Sequence, residues 1–211
     1  MDLREKNLEL TKQSLKDSFT RDILVIQTIH SVDELSSIIN KLVANMRERY
    51  GYFAPSLSRE EDVQKFIESI FKEKQDDLGV VFRKEDLESI QELAHELNNV
   101  RALQKKQEIY LENLMKELCP KLLETAGTHI GARLIDLAGS LKHLAEIPSS
   151  TIQVLGAERA LFRHLKTGAK APKFGVIFAH SSISGAEEKG KAARRIAGKI
   201  SIAVKQDYFS Q

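Results

Sequence analysis

Arg159, Arg163 and Lys166 recur in steps of four and three. That spacing puts all three cations on one face of a helix. Gly156-Ala157-Glu158 leads into the segment, and Leu161 and Phe162 are apolar neighbours of the cations. Lys170 and Lys173 flank Pro172 in the loop that follows. A second helix-like stretch sets Lys191, Arg194, Arg195 and Lys199 opposite an apolar stripe of Ala193, Ile196, Ala197, Ile200 and Val204. Two cationic faces joined by a basic loop can follow a nucleic-acid backbone by neutralising its phosphates. A solvated basic surface has the same composition. Phe162 suits either a core position or a cap on the end of a duplex.

Other chemistry is less well supplied. Gly185-Ala186-Glu187-Glu188-Lys189-Gly190-Lys191-Ala192 matches the phosphate-binding loop G-x-x-x-x-G-K-[ST] except at its last position. Ala192 has no hydroxyl for magnesium, and Glu187 and Glu188 put negative charge where phosphates would lie. A nucleotide hydrolase is therefore the weakest of three readings. The six histidines, His30, His95, His129, His143, His164 and His180, have no close His or Cys partners at metal-ligand spacing. His180 follows an apolar run and precedes Ser181-Ser182, where its ring could stack on an unpaired base or serve as a hydrogen-bonding loop residue. The acidic pairs Asp76-Asp77 and Glu187-Glu188 read as solvated surface. No catalytic motif, metal site or cofactor fingerprint is apparent, so the chain is not expected to be an enzyme.

These residues need elements to hold them. The chain has 211 residues, 29% charged, with no Trp, 4 Pro and 11 Gly. So few turn formers favour long helices. One cysteine, Cys119, rules out an intrachain disulfide, and no apolar run approaches the ~20 residues of a membrane span. A soluble intracellular protein is expected. The net charge of +2 hides an asymmetry: residues 1–118 hold 18 basic and 23 acidic side chains, residues 119–211 hold 14 and 7. The basic half is where a polyanion would bind.

Val25, Ile29, Val32, Ser36, Ile39, Val43, Met46 and Tyr50 follow the alternating four-three step of a narrow helical seam. So do Leu93, Leu97, Val100, Gln104, Gln107, Leu111, Leu114 and Leu118, with two glutamines mid-seam. Ser31 and Glu34 have capping-box spacing, which allows a break near His30. The expected fold is all-α: a short N-terminal remnant over 1–20, a long antiparallel coiled-coil stalk over 21–118 with a tip insertion near 51–83, and a compact, mostly helical domain over 119–211. Short helices are predicted at 121–126, 129–139 and 140–146, a basic helix over 187–204 closes the domain, and Phe174–Phe178 reads as a short β-hairpin arm or buried extended piece. Such a stalk spaces or dimerises, so a coiled-coil interaction protein with no RNA role is the competing reading.

A longer pattern bears on the choice. Ala132-Arg133-Leu134-Ile135, Ala138-Gly139-Ser140-Leu141, the run from Pro148 to Arg163, Pro172-Lys173-Phe174-Gly175 and Ile177-Phe178 together resemble the Nop-domain family. That family includes the archaeal C/D-box ribonucleoprotein scaffold, its nucleolar relatives and a spliceosomal pre-mRNA processing factor. The resemblance implies a Nop domain over 119–211 on the stalk. It also implies a non-catalytic scaffold that reads C/D-box or other kink-turn RNA together with a ribosomal-type kink-turn-binding protein. Gly156, Ala157, Glu158 and Arg159 match the family's G-A-E-K, which meets that protein and the RNA. Arg159 replaces the usual lysine, keeping charge but changing hydrogen-bond geometry. Ala160–Arg163 match A-L-F-R beside the guide-RNA helix, and His180 matches an RNA-contacting histidine. Homodimerisation through the coiled coil, association with RNA 2′-O-methylation or processing, and a cytoplasmic (archaeal) or nucleolar (eukaryotic) location are implied as well. About 20 residues precede the stalk, too few for the domain that recruits a fibrillarin-type methyltransferase, so that partner is not expected for this stretch of chain.

Overall fold

The computed structural model describes residues 3–209, which fold into eleven α-helices and two short 3-10 helices with no strand among them. The all-α expectation holds. The chain divides into two compact units, residues 1–30 with 109–211 and residues 31–108, and the division falls inside the two longest helices.

In the smaller unit, α2 (Arg21–Tyr50) contributes residues 31–50 and α4 (Lys84–Leu118) residues 84–108. On α2 the seam reading is correct: Val43, Met46 and Tyr50 are buried. On α4 they pack with Leu97 as expected but also with Ile90 and Ala94, which the sequence seam did not include, while Leu93 and Val100 are only half-buried. Gln104 Nε2 donates to Ser36 Oγ at 2.7 Å, a polar rung that pins the register of the pair. The break near His30 is absent, because α2 runs uninterrupted and Ile29 and Val32 are both buried on its seam. α3 (Val63–Phe71), capped by Asp62, buries Phe66, Ile67 and Ile70 into the same cluster. Tyr50 ends the seam. Its hydroxyl donates to the carbonyls of Ser69 and Lys74 at 3.0 and 2.8 Å, and burial pushes its pKa up to about 12.

Asp76 is more than solvated surface. Its carboxylate accepts the Ser56 hydroxyl at 2.7 Å and the Ser56 N–H at 2.6 Å, which hold its pKa below the ordinary 3.8. A depressed carboxylate stabilises the fold above its unfolded pKa, and that contribution is lost as pH falls through the folded value. The Ser56 amide resonance should therefore titrate with a midpoint below that of an ordinary aspartate. A midpoint at or above the ordinary aspartate value would contradict the pairing.

The larger unit opens with α1 (Leu3–Ser18), a helix where the sequence suggested only a short remnant; its characterised side chains are all exposed. The core is built from the remaining parts of α2 and α4 with α5 (Pro120–Ala126), α6 (Thr128–Ala138), α7 (Leu141–Glu146), α8 (Ser149–Val154) and α11 (Lys189–Phe209). α11 is the central element and packs on α5, α7 and α8 through Ala193, Ile196, Ala197, Ile200 and Val204, the stripe read from sequence. Phe174–Phe178 is not a hairpin arm. Val176–Ala179 coils into a 3-10 helix whose Ile177 is buried in the core.

Two buried carboxylates cap helices from a distance. Asp22 accepts the Leu141 N–H at 2.9 Å. Asp207 accepts the Lys121 and Leu122 N–H groups at 3.1 and 2.8 Å, supplying the cap that Cys119 at the start of α5 lacks. Asp207→Ala would strand one buried and one part-buried donor and should cost about 2–3 kcal/mol. Cys119 is a built-in reporter. Burial, then the Asp207 charge, pushes its thiol up to about 12, so it should label only on unfolding, at lower urea in the variant. Labelling at the same urea concentration in both proteins would refute the capping role.

Candidate nucleic-acid interface

The cationic helix predicted from Arg159, Arg163 and Lys166 is α9 (Glu158–Thr167), and none of its residues is buried. Ala160, Leu161 and His164 turn partly inward. His164 Nδ1 pairs with the Ala169 carbonyl just past the helix end. Arg159, Phe162, Arg163 and Lys166 share the outward face, with Phe162 60% exposed. Phe162 is therefore not core. Leu165, one turn on from Phe162, is 69% exposed. It was not singled out from sequence, although an apolar residue three after an outward Phe is a readable signal.

The entry to α9 is sharply constrained. Gly156 has φ +86°, a left-handed conformation, and a Cβ there would come within 3.2 Å of Leu137 Cδ1. Its N–H donates to Glu158 Oε1 at 2.6 Å. The strand-like pairing that the sequence hinted at survives as a short ladder. Gly175 N–H donates to the Gln153 carbonyl and Val176 N–H to the Leu155 carbonyl, both at 2.8 Å, while Gln153 Nε2 donates to the Lys173 carbonyl at 2.6 Å. The loop carrying Lys170 and Lys173 is thus tied back to the turn that launches α9. Lys173 also lines, with Phe174 and Glu187–Lys191, an open cavity of about 540 Å³ at the start of α11.

On α11, Arg194, Arg195 and Lys199 are exposed, as expected. Lys191 is exposed too, but its ammonium lies 2.7 Å from Glu188, three residues back. The Glu188 carbonyl accepts the Lys191 and Ala192 N–H groups, and Ala192 is buried. Residues 185–192 therefore start a helix that occupies its own lysine, which argues against a phosphate loop. Phe178 stacks on Phe174 at 4.5 Å with Lys189 over its ring.

His180 lies apart from α9, at the start of α10 (Ser181–Ser184). Its Nδ1 accepts the Ser182 N–H, so the Nε2 proton is the one that meets the Thr125 carbonyl, both at 3.1 Å. Both ring nitrogens are engaged within the protein, leaving the half-buried ring face as its one available surface.

Arg21, Lys72, Lys84, Lys116 and Arg133 each meet a carboxylate. Arg159, Arg163, Lys166, Lys170, Lys173, Arg194, Arg195 and Lys199 have none among the described residues, a property they share with other surface cations such as Lys41, Lys65, Lys105 and Lys142, so what marks them is their grouping in the basic half of the chain, where they are open to an external polyanion. No cluster of three or more His, Cys, Asp or Glu able to hold a metal occurs among the described residues, and none of their helices is long and apolar enough to cross a membrane.

Comparison with known proteins bears on this surface. Residues 57–211 match the Nop family, whose description reads "snoRNA binding domain, fibrillarin". The chain is 35% identical, over 95% of its length, to an uncharacterised NOP5 family protein of Methanocaldococcus jannaschii. It is 33% identical over 96% to nucleolar protein 58 of Neurospora crassa and 34% identical over 90% to nucleolar protein 56 of Mus musculus. It spans only 56%, 39% and 38% of those proteins. A solved relative, from the crystal structure of a fibrillarin/Nop5p complex, superposes with a TM-score of 0.58 at 25% identity, covering 98% of this chain and 69% of that one. The chain belongs to the Nop family.

Proposed function

We propose that the chain is a non-catalytic RNA-binding scaffold of a C/D-box-type ribonucleoprotein. It recognises a kink-turn RNA together with the protein already seated on it, in the service of RNA 2′-O-methylation or processing. The observation that carries this reading is α9: a helix with no buried residue, presenting three unpaired cations and two exposed apolar side chains on a fixed turn. The cations neutralise phosphates, and Phe162 and Leu165 gain by being covered. Homologues named as nucleolar proteins support a nucleolar location in a eukaryote, and the archaeal relative supports a cytoplasmic one in an archaeon. Exposed Ile38 and Leu103 in the smaller unit support homodimerisation through the coiled coil.

A gel shift tests the reading: a C/D-box kink-turn RNA, with and without its kink-turn-binding protein, across a salt series. A supershift only in the presence of that protein is the expected result. Binding to naked RNA alone would reduce the surface to a generic basic patch. No binding in either case would favour a coiled-coil interaction protein.

A further inference from the structure

Glu158 is out of place on a surface meant for phosphates. It is exposed, immediately precedes Arg159, and makes no ion pair among the described residues. Its charge favours the helix N-terminus but repels the ligand that Arg159 would bind. What it does in the structure is local: Oε1 accepts the Gly156 N–H at 2.6 Å. Ala157 at the N-cap offers no side-chain acceptor, and its own N–H is used by the Val154 carbonyl. The ladder from Gly175 and Val176 holds the near side of the turn, and Glu158 closes the far side.

Building on the function proposed above, we infer that Glu158 is a positioning residue of the interface. Its carboxylate oxygen locks the left-handed Gly156 turn and so sets the direction in which α9 presents Arg159, Phe162 and Arg163. It acts as a hydrogen-bond acceptor, and its charge is dispensable. A glutamine carbonyl can accept the same N–H, whereas alanine cannot.

The test compares Glu158→Ala and Glu158→Gln in the full chain by two readouts. Exchange of the Gly156 amide in the free protein should speed up about tenfold in Glu158→Ala and stay within about twofold in Glu158→Gln. Affinity for the kink-turn RNA with its bound protein should fall about tenfold in the alanine variant, with an unchanged salt slope, and be retained in the glutamine variant. Loss of affinity in Glu158→Gln equal to that in Glu158→Ala would show that the charge itself meets the partner and overturn the proposal. An unchanged Gly156 exchange rate in Glu158→Ala would overturn it as well. A wild-type chain that forms no ternary complex would overturn the functional reading instead, with the exchange rates still deciding whether the lock exists.

Discussion

Arg159→Ala combined with Arg163→Ala is expected to weaken the ternary complex about a hundredfold at moderate salt, on the order of 1.5 kcal/mol for each charge-assisted hydrogen bond removed. Both guanidinium groups project from the outward face of α9, and neither has an intramolecular partner among the described residues. Removing them leaves no buried group unsatisfied, so stability in urea should change by no more than about 0.5 kcal/mol. The salt dependence supplies a second criterion. Each neutralised phosphate contributes about 0.7 to 0.9 to the slope of log affinity against log salt, so the slope of the double variant should be shallower by about 1.4 to 1.8. Lys191→Ala is the internal contrast, because its ammonium is already paired with Glu188 and should contribute much less to that slope. Full ternary affinity in the double variant would remove α9 from the interface.

What was legible in sequence is what local periodicity controls. The step of four and three along Val25 to Tyr50 is a direct consequence of helical geometry, and the buried seam of α2 follows it; on α4 the step locates Leu97, Leu111 and Leu114 but misses the buried Ile90, Ala94 and Met115 beside it. The cation face of α9 was legible for the same reason, as was the apolar stripe of α11. Features that depend on partners distant in the chain were not. Asp22 and Asp207 are single acidic residues with no local signature, yet each caps a helix roughly a hundred residues away in sequence. His180 could not reveal that Thr125 occupies its Nε2. Phe174–Phe178 misled because its apolar, partly β-branched composition is also what a buried 3-10 turn requires. The deciding fact is that its partner, residues 153–155, offers only two carbonyls before the Gly156 turn diverts the chain. The family pattern bridged part of this gap by indicating which local segments act together.

Gly175→Ala should be the most damaging single change in this region. Its φ of −108° is not left-handed. The obstacle is proximity: a Cβ at this position would sit 1.9 Å from the Leu155 carbonyl oxygen and 2.7 Å from the Val154 and Leu155 carbonyl carbons. These are backbone atoms and cannot rotate away. Accommodating a methyl group requires the 153–155 segment to part from 175–176, breaking both ladder hydrogen bonds and shifting Ile177 in the core. Overpacking plus two broken hydrogen bonds amounts to about 3–5 kcal/mol, which a urea titration would read directly. The same separation frees the turn at Gly156, so ternary affinity should fall even under conditions where the variant remains folded. Gly185→Ala is the matched control, since its Cβ would meet only the Ser181 carbonyl, at an ordinary 3.5 Å, and should be neutral within about 0.5 kcal/mol. Equal stability of the two variants would mean that the ladder between the α9 launch turn and the basic loop does not hold the interface in place.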